Sequence, residues 1–366
     1  MTKPNGAYPI SLIGFFLSEI GLGQAVRNMA HAFSDAGIPV NHINIDLPSV
    51  SSDTEFLSRC VPWVPGVNNF LVSDILNMAA LFEGFKTEGK GRREILYPFW
   101  ELTNVPSIVI KMLDLYEEIF APSQFVADTF SQYRSKTVSV IPQPVLISNQ
   151  VVPNVLSGDR LKIFSFFDTD SYPSRKNPKE ILDAFQRAFP KNIADVELVL
   201  KLRGRRDDGV RKILLDYALR DYRVKIIDRT LDRVSMDELI QSCNVFVSLH
   251  RSEGFGLGPA EALCREKIVI STDYGGTCDF INPNTGYPVG FKLIDLKESD
   301  YPFSQNQVWA DPFVDEAAMH LRYVYENFDA AKNKGIEGRK LMIAQHSYKA
   351  VGQIVKSIFK ERGYLQ

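Results

Sequence analysis

Short apolar runs rich in Ile, Val, Leu and Phe alternate along this chain with stretches whose apolar residues recur at helical spacing, and the alternation runs twice. Two parallel strands can be joined only by a crossover, usually a helix, so such a pattern predicts α/β domains with helices on both faces of a parallel sheet. In the first series YPISLIGFF (8–16) leads to the turn GLG (21–23). QAVRNMAHAFSDAG (24–37) follows, with Ala25, Met29, Ala32, Phe33 and Ala36 near helical spacing and Gly37 as C-cap. IPVNHINI (38–45), EILYPFWEL (94–102), EEIFAPS (117–123) and TVSVIP (137–142) read as further strands. FVADTFSQY (125–133) reads as a helix opened by Ser123.

The pattern then breaks. QPVLISNQVVPNVLSGDR (143–160) holds two prolines and no periodicity, which marks a linker. Alternation restarts with strands at 161–167, 196–202, 224–228, 244–250 and 268–272. Helices are predicted at 177–189, 210–221, 235–243 and 259–267. A length of 366 residues also asks for about two cores. We therefore expect a first domain over 1–150 and a second from 151, with ligands at the carboxyl ends of the strands.

Charge narrows the partners. Residues 1–150 carry 10 Lys and Arg against 14 Asp and Glu, and the rest 32 against 30, so neither half is a basic arm for a nucleic-acid backbone. A small basic cluster, Lys86, Lys90, Arg92 and Arg93, is interleaved with acids and reads as a solvated turn. Cys60, Cys243, Cys264 and Cys278 form no CxxC pair and read as reduced thiols of a cytoplasmic protein. No signal peptide and no apolar run of spanning length is read, which leaves peripheral membrane attachment open.

One stretch carries the most chemistry. In LHRSEGFGLGPAEALCREK (249–267) a predicted strand ends at His250, a glycine-rich loop follows, and Pro259 suits the first turn of a helix. The amides of Phe255, Gly256, Leu257 and Gly258 are candidate donors to a diphosphate at a helix start. Glu261 is expected in the first turn, favoured by the helix dipole, and Glu253 stands before the glycines. Two carboxylates flanking an anion loop fit the two hydroxylated ends of a nucleotide-sugar. Taken singly, each is equally an ordinary acid, Glu261 a dipole partner and Glu253 a surface residue.

A second constellation is FDTDSYPSRKNP (167–178), where Arg175 and Lys176 stand after a strand as candidate cations for a departing diphosphate, or as a solvated basic pair. SEIGLGQAVR (18–27) lacks the third glycine of a dinucleotide turn, and no Walker loop occurs. Gly21 and Gly23 are candidates for an acceptor or cleft contact, or a purely structural turn. Trp100 and Glu101 in YPFWEL (97–102) suit a sugar face and its hydroxyls, with a core Trp as the alternative. Histidines 31, 42, 250, 320 and 346 form no metal-ligand or nucleophile motif, so no metal or other cofactor is expected.

These residues resemble a known family. E-GFGLGPA-E (253–261) is similar to the E-x7-E motif of retaining glycosyltransferases of family 4. The RKNP segment, the GLGxAxR turn, FWEL, APSQFVADTF and IPQPV resemble bacterial members that build surface polysaccharides. The resemblance covers most of the chain. It implies a GT-B fold, in which two Rossmann-like α/β domains turn their parallel sheets to a central cleft. The N-terminal domain (1–150) would bind the acceptor and the C-terminal one (151–346) the nucleotide-sugar. A last helix within 347–366 would cross back to the first.

By position, Glu253 would meet donor-sugar hydroxyls, Glu261 the ribose and Lys176 the diphosphate. The family's companion arginine is missing, because its place reads FFDTD (166–170), and Arg175 is the substitute on offer. The implied reaction is metal-free, retaining transfer of a hexose from a nucleotide-sugar, mannose from a GDP donor first and glucose from a UDP donor next. The acceptor would be a saccharide or lipid-linked saccharide, at the inner membrane face. A silent nucleotide-sugar-binding subunit and another GT-B enzyme, such as a nucleotide-sugar 2-epimerase, are the alternatives.

Overall fold

The computed structural model describes residues 8–47, 55–75, 77, 93–133, 138–148, 151–158, 160–205 and 209–365. Of the basic cluster, Lys86, Lys90 and Arg92 lie outside the described residues, while Arg93 donates to the Arg362 carbonyl at 2.9 Å. The chain forms two compact units, one of residues 1–146 with 343–366 and one of residues 147–342.

The first unit holds β1 (Ile10–Gly14), α1 (Gly21–Asp35), β2 (Asn41–Asn44), β3 (Asn68–Asp74), β4 (Glu94–Phe99), α2 (Ser107–Leu113), β5 (Glu118–Ala121), α3 (Gln124–Ser131) and β6 (Val138–Val140). All six strands are parallel, in the order β2-β1-β3-β4-β5-β6. Gly37, with φ +68°, ends α1 in a Schellman turn: its N–H reaches the Ser34 carbonyl and Ile38 N–H that of Phe33. Ser123 caps α3 by accepting from Val126 N–H at 3.3 Å, an interaction usually worth about 1 kcal/mol.

The second unit contains β7 (Leu161–Asp168), α4 (Pro173–Lys176), α5 (Pro178–Ala188), β8 (Val196–Arg203), α6 (Val210–Arg220), β9 (Val224–Asp228), α7 (Arg233–Ser242), β10 (Val245–Ser248), α8 (Leu257–Leu263), β11 (Ile268–Thr272), β12 (Tyr287–Val289), β13 (Phe291–Asp295), β14 (Val308–Pro312), α9 (Val314–Glu326) and most of α10 (Phe328–His346). Its parallel sheet runs β12-β11-β10-β7-β8-β9, and β13 and β14 pair as an antiparallel hairpin. Ile163, Leu198, Leu200, Val247 and Ile270 of the sheet bury themselves against Ile181, Leu182 and Phe185 of α5 and Leu321 and Val324 of α9.

Chain order reverses between β7 and β10. From β7 the chain steps outward to β8 and β9, and from β10 it steps the other way to β11 and β12. The connections after these two neighbours therefore leave on opposite sides, and a crevice opens at their carboxyl ends.

The chain finally returns to the first unit as α11 (Tyr348–Glu361), opened by Ser347, whose Oγ accepts from Ala350 N–H at 3.2 Å. Val351, Val355 and Phe359 enter the core beside Met29 and Phe33 of α1 and Phe70 of β3. Gly352 allows this approach, because a Cβ there would stand 2.3 Å from the Ala32 carbonyl oxygen.

Candidate active site

The loops after β7 and β10 supply the charged residues of the crevice. After β7 the backbone enters and leaves α4 through two left-handed residues, Tyr172 (φ 60°) and Asn177 (φ 56°). These two turns place Arg175 and Lys176 one residue apart on a single helical turn. Asn177 is held by its side-chain amide, which donates to the Leu249 carbonyl at 3.0 Å, so the two loops are tied together.

Glu253 receives both cations. Its Oε2 accepts from Arg175 Nη1 at 3.1 Å, and its Oε1 pairs with Lys176 Nζ. Glu253 is 6% exposed and Arg175 5%. Burial alone raises a carboxyl pKa. Here the Lys176 and Arg175 charges outweigh it and bring Glu253 down to about 2, so the carboxylate stays ionised across the neutral range. Arg175 also donates to the Ser252 carbonyl at 2.9 Å. It faces the loop that carries Glu253, and only Lys176, with a quarter of its side chain exposed, is open to solvent.

Backbone contacts fix Glu253 from the other side. The segment after β11 turns through Gly275 and Gly276, and Gly276 N–H donates to the Glu253 carbonyl at 2.8 Å. Cβ atoms on these glycines would lie 2.5 Å from the Glu253 oxygen and 2.3 Å from the Gly254 oxygen, so the two loops touch through bare backbone. His250, read from sequence as a strand-end residue, is a strut. Its Nε2–H donates to the Tyr274 carbonyl at 2.9 Å, which leaves Nδ1 to accept from Ser248 Oγ at 2.9 Å. Burial lowers its pKa, so it stays neutral.

Beneath Lys176 and Glu253 lies a cavity of about 30 Å³, room for about one water, lined also by Ser165, Phe166, Phe246, Ser248, Gly258 and Pro259. Gly258 rests on two rings: a Cβ there would lie 3.0 Å from Phe166 Cζ and 3.1 Å from Phe246 Cζ. Gly256, with φ +93°, precedes α8, and a Cβ on it would meet Thr277 Cγ2 at 2.4 Å. Phe255 is 2% exposed and packs on Phe280, so its ring belongs to the core and its main chain to the loop.

Glu261 departs from its expected setting. The helix begins at Leu257 rather than Pro259, which places Glu261 in the second turn, beyond the strongest reach of the dipole. A side chain neutralises it instead: Arg233 Nη1 donates to Glu261 Oε1 at 2.6 Å. The FFDTD segment is likewise occupied by its own pairing, since Asp168 Oδ2 accepts from Arg203 Nε at 2.8 Å.

The remaining candidates lie in the first unit. Trp100 is 1% exposed and donates its indole N–H to the Asn104 carbonyl at 3.1 Å, so it is a core residue and offers no face to a sugar. Glu101 is half-buried and Gly21 exposed. Gly23 is buried under the turn, where a Cβ would collide with the Ser18 oxygen at 2.0 Å. Among the described residues no group of three or more His, Cys, Asp and Glu is placed to hold a metal ion, and no helix is long and apolar enough to cross a membrane.

Comparison with known proteins finds relatives for part of the sequence and for the fold. Residues 168–295, the stretch holding Lys176, Glu253 and Glu261, match the family model described as Glycosyl transferases group 1. YqgM of Bacillus subtilis (strain 168), an uncharacterized glycosyltransferase, is 24% identical over 221 residues, 60% of this chain and 58% of its own. Among solved structures, the sucrose-phosphate synthase of Thermosynechococcus elongatus is similar at a TM-score of 0.71 and 16% identity, over 97% of this chain and 99% of its own. A mutant of S. aureus TarM, solved with UDP, alpha-GlcNAc-glycerol and Fondaparinux, is similar at 0.60 and 14%, over 80% of this chain and 55% of its own. The chain thus spans little more than half the length of YqgM and TarM. The fold is GT-B, with two Rossmann-like units, and the family match with the YqgM relative supports a glycosyltransferase.

Proposed function

We propose that the second unit binds a nucleotide-sugar and that the chain transfers its hexose, with retention, to a saccharide or lipid-linked saccharide. The observation that carries this reading is the Glu253 carboxylate, held ionised by Arg175 and Lys176 beside the Gly254–Gly258 loop at the strand-order reversal. In this reading Glu253 meets the hydroxyls of the donor sugar and Glu261 the ribose, while the loop amides and Lys176 face the diphosphate.

The acceptor hydroxyl attacks from the face the diphosphate leaves, and a diphosphate oxygen takes its proton. The protein contributes position and charge rather than a covalent nucleophile. Lys176 is drawn to Glu253 and has to turn toward the phosphates as they gain charge. Arg175 acts as a positioning residue for Glu253. The cation load on the leaving group falls on side chains and amides, so we propose transfer without a metal. The first unit takes the acceptor, and work at the inner membrane face in surface-polysaccharide synthesis belongs to the same proposal. UDP bound to TarM supports placing UDP-hexoses beside GDP-mannose as the donors to test.

The test is a panel of UDP- and GDP-hexoses with the purified chain, followed by thermal shift and by release of free sugar. One donor is expected to raise the melting temperature and to be turned over slowly by water. Glu253→Gln is expected to keep binding the nucleotide and lose turnover. A panel with no binder, or undiminished turnover by Glu253→Gln, would sink the proposal.

A further inference from the structure

Glu261 belongs to a closed ring of charges. Its Oε1 accepts from Arg233 Nη1 at 2.6 Å, and Arg233 Nη2 pairs with Asp237 Oδ1 at 2.9 Å, one turn along α7. The same Oδ1 accepts from Arg265 Nη2 at 2.6 Å. Arg265 then returns Nη1 to the main-chain carbonyl of Glu261 at 2.8 Å. Two guanidinium groups balance two carboxylates, and the path that leaves Glu261 by its side chain re-enters it by its backbone.

The members differ in access. Arg265 is 1% exposed and Glu261 4%, whereas a third of the Arg233 side chain and a quarter of the Asp237 side chain are open. Asp237 receives both guanidiniums on one oxygen, so it sets where each stands. A carboxylate this buried needs polar partners, and it needs one fixed rotamer if it is to accept from a diol. The ring supplies both, and it engages one carboxylate oxygen of Glu261 from the side of the α7 start.

We infer that Arg233, Asp237 and Arg265 are positioning residues that aim Glu261 at the ribose of a nucleoside diphosphate, and that the ring sets the preference for ribose over deoxyribose. The inference rests on the proposed reading of Glu261 as the ribose contact. It predicts an effect on one hydroxyl of the ligand, which a merely structural ring would not produce.

The experiment is calorimetric binding of UDP, GDP and their 2′-deoxy counterparts to the whole chain. The proteins are the unaltered chain, Asp237→Asn, Glu261→Gln and the double variant, with melting temperatures taken alongside. The unaltered chain is expected to prefer the ribonucleotide roughly tenfold, the usual scale of one hydrogen bond to a charged group. Asp237→Asn is expected to erase most of that preference and to leave deoxynucleotide affinity near its original value. In the Glu261→Gln background, Asp237→Asn is expected to change nothing further. Arg233→Lys, at the open end of the ring, carries the same expectation if Asp237→Asn does not fold.

A preference that survives in Asp237→Asn, or equal loss for both sugars in either background, overturns the ring's role while nucleotide binding stands. Binding of neither diphosphate by the unaltered chain defeats the donor reading itself, and the ring's role with it.

Discussion

Two glycine-bearing turns, one in each unit, follow a strand and open a helix, yet they are finished in opposite ways. The turn before α1 closes on itself. Gly23 leaves no room above the Ser18 oxygen, and Arg27, 4% exposed, donates to the carbonyls of Phe16 at 2.8 Å and Ser18 at 3.0 Å. The turn before α8 is braced from outside. Gly256 yields to Thr277, Gly275 and Gly276 press on the Glu253 segment, and the Glu253 carboxylate is held by residues more than seventy positions earlier. A strand, a glycine turn and a helix therefore do not by themselves mark reactive chemistry. What distinguishes the second turn is ionised side chains held in place by other loops.

The contrast can be broken most directly at Lys176. Lys176→Ala is expected to cut transfer about 10²–10³-fold, as loss of one charge-stabilising donor does elsewhere. It should still fold, with a lowered melting temperature because Glu253 keeps only Arg175 as its cation, and turnover within a few fold of normal would remove the distinction between the turns. Gly23→Ala should behave in reverse. The Cβ meets backbone rather than a movable side chain, so a loss of about 3 kcal/mol is expected in denaturant unfolding. Nucleotide binding by the folded fraction should be unchanged.

Acid gives a third handle. Glu253 titrates near 2 in the fold, below the ordinary carboxyl value of 4.5. Its contribution is therefore complete above pH 4.5 and is lost as pH falls from about 4.5 to about 2, at most about 3 kcal/mol. Glu253→Gln should flatten stability against pH in that window, and an unchanged slope would show the carboxylate to be unperturbed. The smallest effect belongs to Gly21. A Cβ there meets nothing within 4 Å, so Gly21→Ala should stabilise the first unit by roughly 0.4–1 kcal/mol through the unfolded chain. Destabilisation would mean that position 21, like position 23, depends on bare backbone.

Much of this was legible in the sequence. The apolar strands of the second unit and the loops at 167–178 and 249–258 were visible because strand, turn and helix signals follow one another locally. Strand β3 gives no clear apolar run, since NNFLVSD buries Asn68, Asn69 and Ser73. The hairpin of β13 and β14 is equally illegible, because β13 is mostly exposed or half-buried. The sequence puts Glu261 a turn too early because Leu257 and Gly258 read as loop, whereas the rings of Phe166 and Phe246 support Gly258 inside the helix. Arg233 and Asp237 stand at helical i,i+4 spacing, which gives no hint of Glu261 or Arg265. Their partners stand 28 residues along the chain, and no spacing rule reaches that far.

Return of the chain to its first unit has a consequence for how the protein is made. Residues 147–342 form a whole unit, but the first unit has no α11 until residues 348–361 exist. During vectorial synthesis the earlier half must wait, with Met29, Phe33 and Phe70 short of their last partners, while the later unit emerges and can close. Of the two units, the one begun first is thus the one completed last. A stop codon ahead of α11 would leave the second unit intact and make its neighbour a client for chaperones.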